Sequence, residues 1–474
     1  MWRHVWRPAL SVFSEKELAR LTGADCFVLA LGRMMSRHGQ HGLIGQTHVR
    51  MDSVPDIARM EESARSLAAA HPLLNAVARR SPFTLRVAWR GDPSAERHLP
   101  VNLWFEKGAS VPAGRRATEI ESEAAWVDDT LNQPFGFRDG LRNLHIDLML
   151  LRSGGSLLVL TWTHLLFDGK GAEFLVDALV NPPPSRAANV PLIPPAAPPR
   201  DTLRNRIRMA TPVVERLFVL AGDRYESLAG PKPRHGRLRF RMRTFDAEST
   251  ARIQAGMEAA VGPLFSIGFF LASALRAHRE AFLARGRDPA HYVVSIPVQI
   301  RKKGFAAVPF QNCVTILFFA LAREALVSMP LAAKVAQAQF EEMTHGRLDR
   351  SFTQVLELMR RLPSAVYLAF VRWQFGGEIT AFFHSFTGEF SARLGDVFGA
   401  RVANAYHIPS VSAPPGSGLF FGLFNGRLNV TFSWREGSVT SEEADLVLAR
   451  VSEDLLGGDL PDLRAKEFLG CVPT

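Results

Sequence analysis

A proline-dense segment divides this chain of 474 residues into two parts. The stretch NPPPSRAANVPLIPPAAPPR, residues 181–200, carries eight of the thirty prolines. Proline fixes its own φ and lacks a backbone N–H, so such a segment cannot form a helix and extends stiffly. We therefore expect two domains, 1–180 and 201–474, joined by a linker at 181–200.

Strand and helix patterns alternate before this linker, which predicts an α/β fold. Ser14 in SEKELARLTGADCFVLALGRMM is a typical N-cap with acidic residues in the following turn, so it predicts the start of a helix. GLIGQTHVRM predicts a strand. The segment 53–80 predicts a long amphipathic helix that begins at Ser53, with Pro55 near its first turn.

The alternation continues after the linker. GRLRFRMRTF, HYVVSIPVQI and QNCVTILFFALA predict strands, and Asn425-Gly426 between two apolar runs indicates a hairpin. SEEADLVLARVSEDLL predicts a capped closing helix. The uncharged stretch 259–275 falls just short of the roughly 18 to 20 apolar residues of a membrane span. It also contains glycine, serine and proline, so we expect a buried core helix over 262–284.

Composition limits the class of protein. The 56 basic and 46 acidic residues give a net charge of +10, which favours anionic partners. The sequence contains no zinc-finger spacing, aromatic RNA-binding signature or heptad array, so we expect no nucleic acid partner. Its three cysteines lie far apart, and no cleavable leader pattern opens the chain. These features predict a cytoplasmic protein without a disulfide framework or a metal site.

The stretch TWTHLLFDGKGAEFL, residues 161–175, carries the strongest chemical signal. An apolar strand delivers His164, and Asp168 and Gly169 open a helix. An imidazole held at a strand end can take and return a proton near neutral pH. The H-x3-D-G spacing alone leaves a structural histidine as the alternative, and no third ligand lies nearby to favour a metal site.

THLLFDG resembles the HHxxxDG motif of the chloramphenicol acetyltransferase-like superfamily, with Thr163 in place of the first histidine. This superfamily includes condensation domains, plant BAHD acyltransferases and bacterial wax ester synthase/diacylglycerol acyltransferases. Further stretches are similar to family motifs in the same order. They are LAAAHPLLNAVARR, VSIPVQIRKKG, PFQNCVTILFF, FFHSFTGEF and GRLNVTFSW.

The resemblance implies an α/β fold of two acetyltransferase-like lobes that form a V-shaped pseudo-dimer with a tunnel between them. It implies His164 as a general base and an ion pair between Asp168 and Arg301 that bridges the lobes. Gly169 would permit a sharp turn. The candidate hydrogen-bond donors for an oxyanion are the backbone amide near Gly169, the side chain of Asn312 and the hydroxyls of Ser385 and Thr387. Alternatively, the side chain of Asn312 satisfies backbone groups of a strand.

The implied reaction moves an acyl group from a thioester to a hydroxyl or amine. Acyl-CoA or an acyl-carrier protein would be the co-substrate, with no bound cofactor, and a small molecule or lipid the acceptor. A freestanding condensation enzyme that uses a carrier-bound donor and a non-catalytic thioester-binding or scaffold protein remain alternatives. His384 is a second titratable group to consider at the tunnel. Arg301, Lys302 and Lys303 are candidates for contact with the phosphates of coenzyme A or a carrier protein, and a solvated turn is the alternative for this basic cluster.

Residues 200–243 combine many arginines with apolar side chains such as Val213, Leu217 and Phe218. This composition suits peripheral contact with an anionic membrane surface. The alternative is a basic connector packed on the core.

Overall fold

The protein is described here by a computed structural model. It describes residues 17–37, 42–80, 87–91, 99–135, 143–181, 202–222, 226–230, 236–263, 266–301, 311–360, 362–363, 365–369, 377–391 and 394–457. Ser14, Lys302, Lys303 and the linker beyond Asn181 lie outside these ranges.

Strands and helices alternate through the described residues. The strands are β1 (Glu17–Arg20), β2 (Ile44–Met51), β3 (Ala76–Arg80), β4 (Val87–Gly91), β5 (Val101–Glu106), β6 (Thr118–Ile120), β7 (Leu144–Leu150), β8 (Ser156–Thr163), β9 (Leu238–Phe245), β10 (His291–Gln299), β11 (Val314–Ala322), β12 (Phe383–Glu389), β13 (Asp396–Val397), β14 (Ala400–Pro409), β15 (Ser417–Phe424) and β16 (Arg427–Arg435). The helices are α1 (Gly23–Arg37), α2 (Ile57–Ala70), α3 (Glu123–Leu131), α4 (Gly169–Val180), α5 (Leu203–Gly222), α6 (Ala247–Val261), α7 (Ser266–Ala284), α8 (Met329–His345), α9 (Leu348–Met359) and α10 (Ser441–Leu456). Short 3-10 turns cover Pro72–Asn75 and Arg323–Val327.

Two large mixed sheets organise the described residues. The first has the order β13-β14-β2-β8-β7-β5-β6, and the second has the order β11-β10-β12-β15-β16-β9. A three-stranded sheet, β1-β4-β3, accompanies them. The α/β character predicted from the sequence is confirmed.

Two strands from the second half of the chain, β13 and β14, complete the first sheet. β14 pairs antiparallel with β2, so that Ala405 lies opposite Val49 and His407 opposite Thr47. The first sheet therefore contains residues from both sides of the linker. The division into 1–180 and 201–474 remains a prediction. That division did not include the contribution of second-half strands to the first sheet.

The hydrophobic pattern explains why β8 lies inside the first sheet. Every residue of SLLVLTWT is buried, and β8 has β2 on one side and β7 on the other. A strand that is apolar on both faces is stable only where both faces are covered. The end of β8 is thus a rigid point from which the next residue, His164, projects.

The predicted core helix is confirmed. α7 begins at Ser266, and its residues from Gly268 to His278 are all buried. Among the described residues no single helix is long and apolar enough to cross a membrane. A pair of helices, Ala247–Val261 and Ser266–Ala284, meets the length and composition criteria only when joined across a sharp bend.

Two helix starts differ from the sequence-based prediction. α1 begins at Gly23, where the hydroxyl of Thr22 accepts from the Asp25 N–H and the Asp25 carboxylate accepts from the Thr22 N–H. The residues Glu17–Arg20, predicted as helix, form a strand. α2 begins at Ile57 and not at Ser53, because Asp56 supplies the cap by accepting from the Arg59 N–H.

The predicted helix over 53–80 is also too long. α2 ends at Ala70, followed by a 3-10 turn and then the strand β3. Pro72 disfavours helical backbone at the residue before it and has no N–H to continue the ladder. His71 therefore caps the end of α2.

Candidate active site

His164 is fixed by backbone hydrogen bonds on both sides of its peptide unit. Its N–H donates to the carbonyl of Leu43 at 2.9 Å, and its carbonyl accepts from Nδ2 of Asn312 at 2.9 Å. The turn that follows is closed by Thr163, whose carbonyl accepts from the Leu166 N–H at 2.9 Å. Neighbours outside its own strand thereby fix the backbone from which the imidazole projects.

The imidazole of His164 lies on the wall of a cavity. Its ring centroid is 5.6 Å from the ring of Trp162, and Nδ1 is buried with no hydrogen-bond partner among the described residues. Within the same set of residues no carboxylate hydrogen bonds to this ring. The side chain is therefore oriented by packing and by its backbone rather than by an acidic partner.

Asp168 stabilises the turn that follows His164. It is the N-cap of α4, and its Oδ1 accepts from the Gly171 N–H at 2.9 Å. Nη1 of Arg301 lies 2.8 Å from Oδ1 and 3.0 Å from Oδ2, and the Cys313 N–H donates to Oδ2 at 2.8 Å. Asp168 is 4% exposed. Its carboxylate is thus occupied by four hydrogen bonds from α4, Arg301 and Cys313.

The ion pair predicted between Asp168 and Arg301 is confirmed. Arg301 also donates through Nη2 to the carbonyl of Gln311 at 3.0 Å, and its guanidinium lies 5.6 Å from the ring centroid of Phe174. These contacts join the segments before β11 and after β10 to the loop that carries His164.

Asn312 does not present a free donor to the cavity. Its Nδ2 donates both to the His164 carbonyl and to Oδ1 of Asp25, at 2.9 and 2.8 Å. An amide nitrogen has only two protons, so none is left for an oxyanion. The prediction of Asn312 as an oxyanion donor is therefore wrong, and the alternative that it satisfies backbone is correct.

Asp25 is a residue of the site that sequence reasoning missed. It is buried, and burial raises the pKa of its carboxyl while the hydrogen bond from Asn312 opposes that rise. Asp25, Asn312 and the His164 carbonyl form one continuous chain of hydrogen bonds. The Thr22-x-x-Asp25 pattern before an apolar run was a capping signal that could have identified Asp25.

Gly169 does not require the conformational freedom of glycine. It is the first residue of α4, and its backbone is not left-handed. A Cβ added here would lie 3.6 Å from Cγ2 of Thr387, an ordinary contact. The expectation of a sharp glycine turn is wrong. Amides in the first turn of a helix lack an intrahelical acceptor, so the Gly169 N–H remains a donor at the cavity wall.

Ser385 and Thr387 both line the cavity from β12. The Thr387 hydroxyl donates to the carbonyl of Phe421 at 3.3 Å, which engages its proton. The Ser385 hydroxyl forms no hydrogen bond with the described residues. Of the two hydroxyls, Ser385 is the one with a proton to give to a ligand.

A hydrogen-bonded chain covers another part of the wall. Nε1 of Trp162 donates to Oγ1 of Thr47 at 3.0 Å, and Oγ1 is hydrogen-bonded to Nδ1 of His407, also at 3.0 Å. Nε2 of His407 lies 3.4 Å from Oε1 of Glu173. Nζ of Lys170 lies 2.7 Å from the other oxygen of Glu173. These polar groups satisfy one another.

His384 is not suited to carry a proton in a reaction. It is 2% exposed, and its two ring nitrogens have no hydrogen-bond partner among the described residues. Burial lowers its pKa to about 3, and the nearby His278 adds to the shift. The ring is therefore neutral at physiological pH.

The cavity has a volume of about 350 Å³ and a largely apolar wall. This is within the range of small-molecule sites. One end is enclosed by apolar side chains from α1, α5, β11 and α9. They are Phe27, Leu31, Leu217, Phe318, Phe352 and Val355. Because most of the polar groups at its other end already satisfy one another, the cavity suits a ligand with a substantial apolar part.

Solved structures with the same fold cover nearly the whole chain. The trichothecene 15-O-acetyltransferase from Fusarium sporotrichioides matches with a TM-score of 0.67 at 13% identity, over 93% of this chain and 95% of that one. The first condensation domain of the CDA synthetase matches with a TM-score of 0.63 at 18% identity, over 93% and 96%. A variant of the starter condensation domain of rhizomide synthetase, in complex with C8-CoA, matches with a TM-score of 0.58 at 13% identity, over 95% and 96%.

No protein-family model and no curated protein sequence matches the chain. At these identities the structural matches establish the fold alone. The chain therefore has the fold of the CoA-dependent acyltransferases and condensation domains, as its motifs indicated.

Proposed function

We propose that this protein is an acyltransferase that moves an acyl group from a thioester to a hydroxyl acceptor, with His164 as general base. The observation that carries the proposal is the position of His164. It projects from the end of a buried central strand onto the cavity wall, and its backbone is held by Leu43 and Asn312.

In the proposed reaction, Nε2 of His164 takes the proton of the acceptor hydroxyl as the oxygen attacks the thioester carbonyl. Collapse of the tetrahedral intermediate breaks the C–S bond and re-forms the carbonyl. The imidazolium then returns the proton to the departing thiolate. The products are an ester and a free thiol, and no covalent enzyme intermediate is needed.

The negative charge on the tetrahedral oxygen requires donors that are free in the resting protein. Among the described residues the Gly169 N–H at the start of α4 and the Ser385 hydroxyl have no hydrogen-bond partner, and both residues line the cavity with His164. The positive end of the α4 dipole adds to the stabilisation. Asp168 and Arg301 act in this scheme as positioning residues.

The apolar end of the cavity is suited to bind an acyl group with a hydrocarbon chain, which supports a donor of this kind. We favour acyl-CoA as the donor and an alcohol, including a lipid alcohol, as the acceptor. We also propose that the two halves form a V-shaped pseudo-dimer, in which the cavity is part of a tunnel that admits donor and acceptor from opposite sides. The protein would act in the cytoplasm or at its membrane boundary.

The test is an assay of purified protein with acyl-CoAs of increasing chain length and a panel of alcohols and amines. Free thiol and product mass are followed together. The matched control for His164→Ala is His345→Ala, which removes an exposed histidine at the end of α8. We expect thiol release and an acylated product that disappear only in His164→Ala.

The same assay separates the alternative functions. A product formed only when the donor is loaded on a carrier protein would support a freestanding condensation enzyme. An amine product in place of an ester would support N-acylation. Thioester binding without turnover, unchanged in His164→Ala, would indicate a non-catalytic role and overturn the proposal.

A further inference from the structure

Helix α5, Leu203–Gly222, carries large apolar side chains toward solvent as well as toward the protein. Its inner face buries Ala210, Val213, Leu217 and Leu220. Leu217 also lines the apolar end of the cavity. A surface helix of a soluble domain needs only this one apolar face.

The outer face of α5 is also apolar. The side chains of Leu203, Ile207, Phe218 and Val219 are 65%, 53%, 54% and 71% exposed. At 100° per residue Leu203, Ile207 and Phe218 fall within one narrow sector of the helix. Large apolar side chains grouped on a surface mark a contact site.

The charges that flank this face are mainly basic. Arg204 and Arg208 are exposed on the same side of α5, and the exposed Glu215 lies on that side about two turns or more further along the helix. By contrast Arg206 and Arg216 turn toward the protein, where they lie 3.4 Å from Oε1 of Gln354 and 3.6 Å from Glu342.

The basic surface is smaller than the sequence predicted for 200–243. Arg237, Arg239 and Arg241 pair with acidic side chains of α3, α10 and the end of β16. They are structural ion pairs. Arg200, Arg224, Lys232 and Arg234 lie outside the described residues, so Arg204 and Arg208 of α5 are the described candidates for contact with an anionic surface.

We propose that the outer face of α5 docks on an anionic phospholipid surface. Apolar side chains would insert between the lipids, and Arg204 and Arg208 would contact phosphate groups at the interface. The exposed Arg204 and Arg208 complement anionic headgroups, which favours such a bilayer over a second copy of the chain that would bring the same basic side chains to the contact.

Docking at this helix would bring the bilayer close to the cavity. α5 packs on α9, where the Ser351 hydroxyl accepts from the Val213 N–H and donates to the Ala210 carbonyl, beside Pro212 inside the helix. The inner side of both helices contributes to the cavity wall, through Leu217 and Val355. A lipid substrate of the proposed reaction would thus leave the membrane near the apolar end of the cavity.

The experiment is vesicle flotation with the whole protein. Vesicles of phosphatidylcholine are compared with vesicles that also contain phosphatidylglycerol, at low and high salt. Two double variants change exposed side chains only, Phe218→Ser with Val219→Ser and Arg204→Gln with Arg208→Gln. Val327→Ser, at another exposed apolar position, is the matched control.

We expect the native protein to float with anionic vesicles at low salt and much less at high salt. Each double variant should lose at least about tenfold in binding, and Val327→Ser should behave like the native protein. Absence of native flotation on anionic vesicles, or undiminished flotation of both double variants, would overturn the proposal. A native dimer that Phe218→Ser with Val219→Ser converts to a monomer would overturn it in favour of self-association. None of these readouts depends on catalysis.

Discussion

Arg301 and Asp168 lie 133 residues apart in sequence and are joined by a buried ion pair, in which Nη1 lies 2.8 and 3.0 Å from the two carboxylate oxygens. This pair links the end of β10 to the N-cap of α4. It therefore fixes, from the second half of the chain, the turn on which His164 is presented.

Replacing Arg301 by methionine is expected to lower the free energy of unfolding by about 3 to 5 kcal/mol, because the Asp168 carboxylate stays buried without its cation. Urea denaturation measures the change. The control is Arg323→Met, since Arg323 and Glu324 are 47% and 71% exposed and such pairs contribute less than about 1 kcal/mol. An equal, small effect of both variants would contradict the account of the buried pair.

Replacing Asn312 by leucine is expected to reduce kcat by about ten- to hundredfold with little change in KM, because the His164 carbonyl loses its anchor and the imidazole is misplaced. Steady-state kinetics measure both constants, with Asn205→Leu on α5 as the control. In the His164→Ala background the same substitution should have little further effect on rate. A change in KM alone would show that Asn312 does not position His164.

How far the sequence could predict this site differs from residue to residue. Asp168 and Arg301 were predictable because the H-x3-D-G motif and the later arginine motif resemble a family in which they pair. For Asn312 the sequence offered backbone satisfaction as one of two roles but could not name its partners, because one of them, Asp25, lies 287 residues away. Pattern alone identifies an asparagine at a strand end but not which acceptors the fold brings to it.

Prediction of the fold from local pattern has the same limit. Hydrophobic periodicity and turn residues predicted most strands and helices of the second half, including the Asn425-Gly426 hairpin, where both residues have positive φ. They could not predict that β14 pairs with β2, because apolar alternation defines a strand without naming its neighbour. Helix starts at Gly23 and Ile57 were missed because Ser14 and Ser53 are equally good caps in isolation.

Acid is expected to destabilise the protein as pH falls below about 6.5. Burial lowers the pKa of His48, His278 and His384 to about 3 each, below the value of 6.5 in the unfolded chain. The unfolded chain therefore binds more protons, and stability present above pH 6.5 is lost toward pH 3 at about 1.4 kcal/mol per pH unit for each histidine. Thermal or urea unfolding between pH 7 and pH 5 measures the slope.

The variant His384→Phe sharpens this test, because neither nitrogen of His384 has a hydrogen-bond partner among the described residues and an aromatic ring already packs beside it. We expect unchanged or higher stability at pH 7 and a shallower loss toward pH 5. His345→Phe, at an exposed position, should leave the slope unchanged. A slope identical to that of the native protein in His384→Phe would show that this histidine is not neutral in the folded state.

Filling the apolar end of the cavity is expected to shorten the acyl chain that the protein accepts. Val355→Trp adds an indole where Phe352 and Leu31 already converge on the cavity. Activity on long-chain thioesters should fall at least about tenfold relative to short-chain ones, since overpacking excludes the distal carbons. Val327→Trp, at an exposed position, should keep the native preference. Equal losses at every chain length would place the acyl group elsewhere.

The most direct test of the account is the turnover rate of His164→Ala with the best thioester and acceptor, measured beside His345→Ala on protein whose circular dichroism matches the native spectrum. General-base catalysis contributes about a hundred- to ten-thousandfold, so we predict a loss of that size in His164→Ala and none in His345→Ala. A His164→Ala protein that still releases thiol and forms product at the native rate would contradict the central claim.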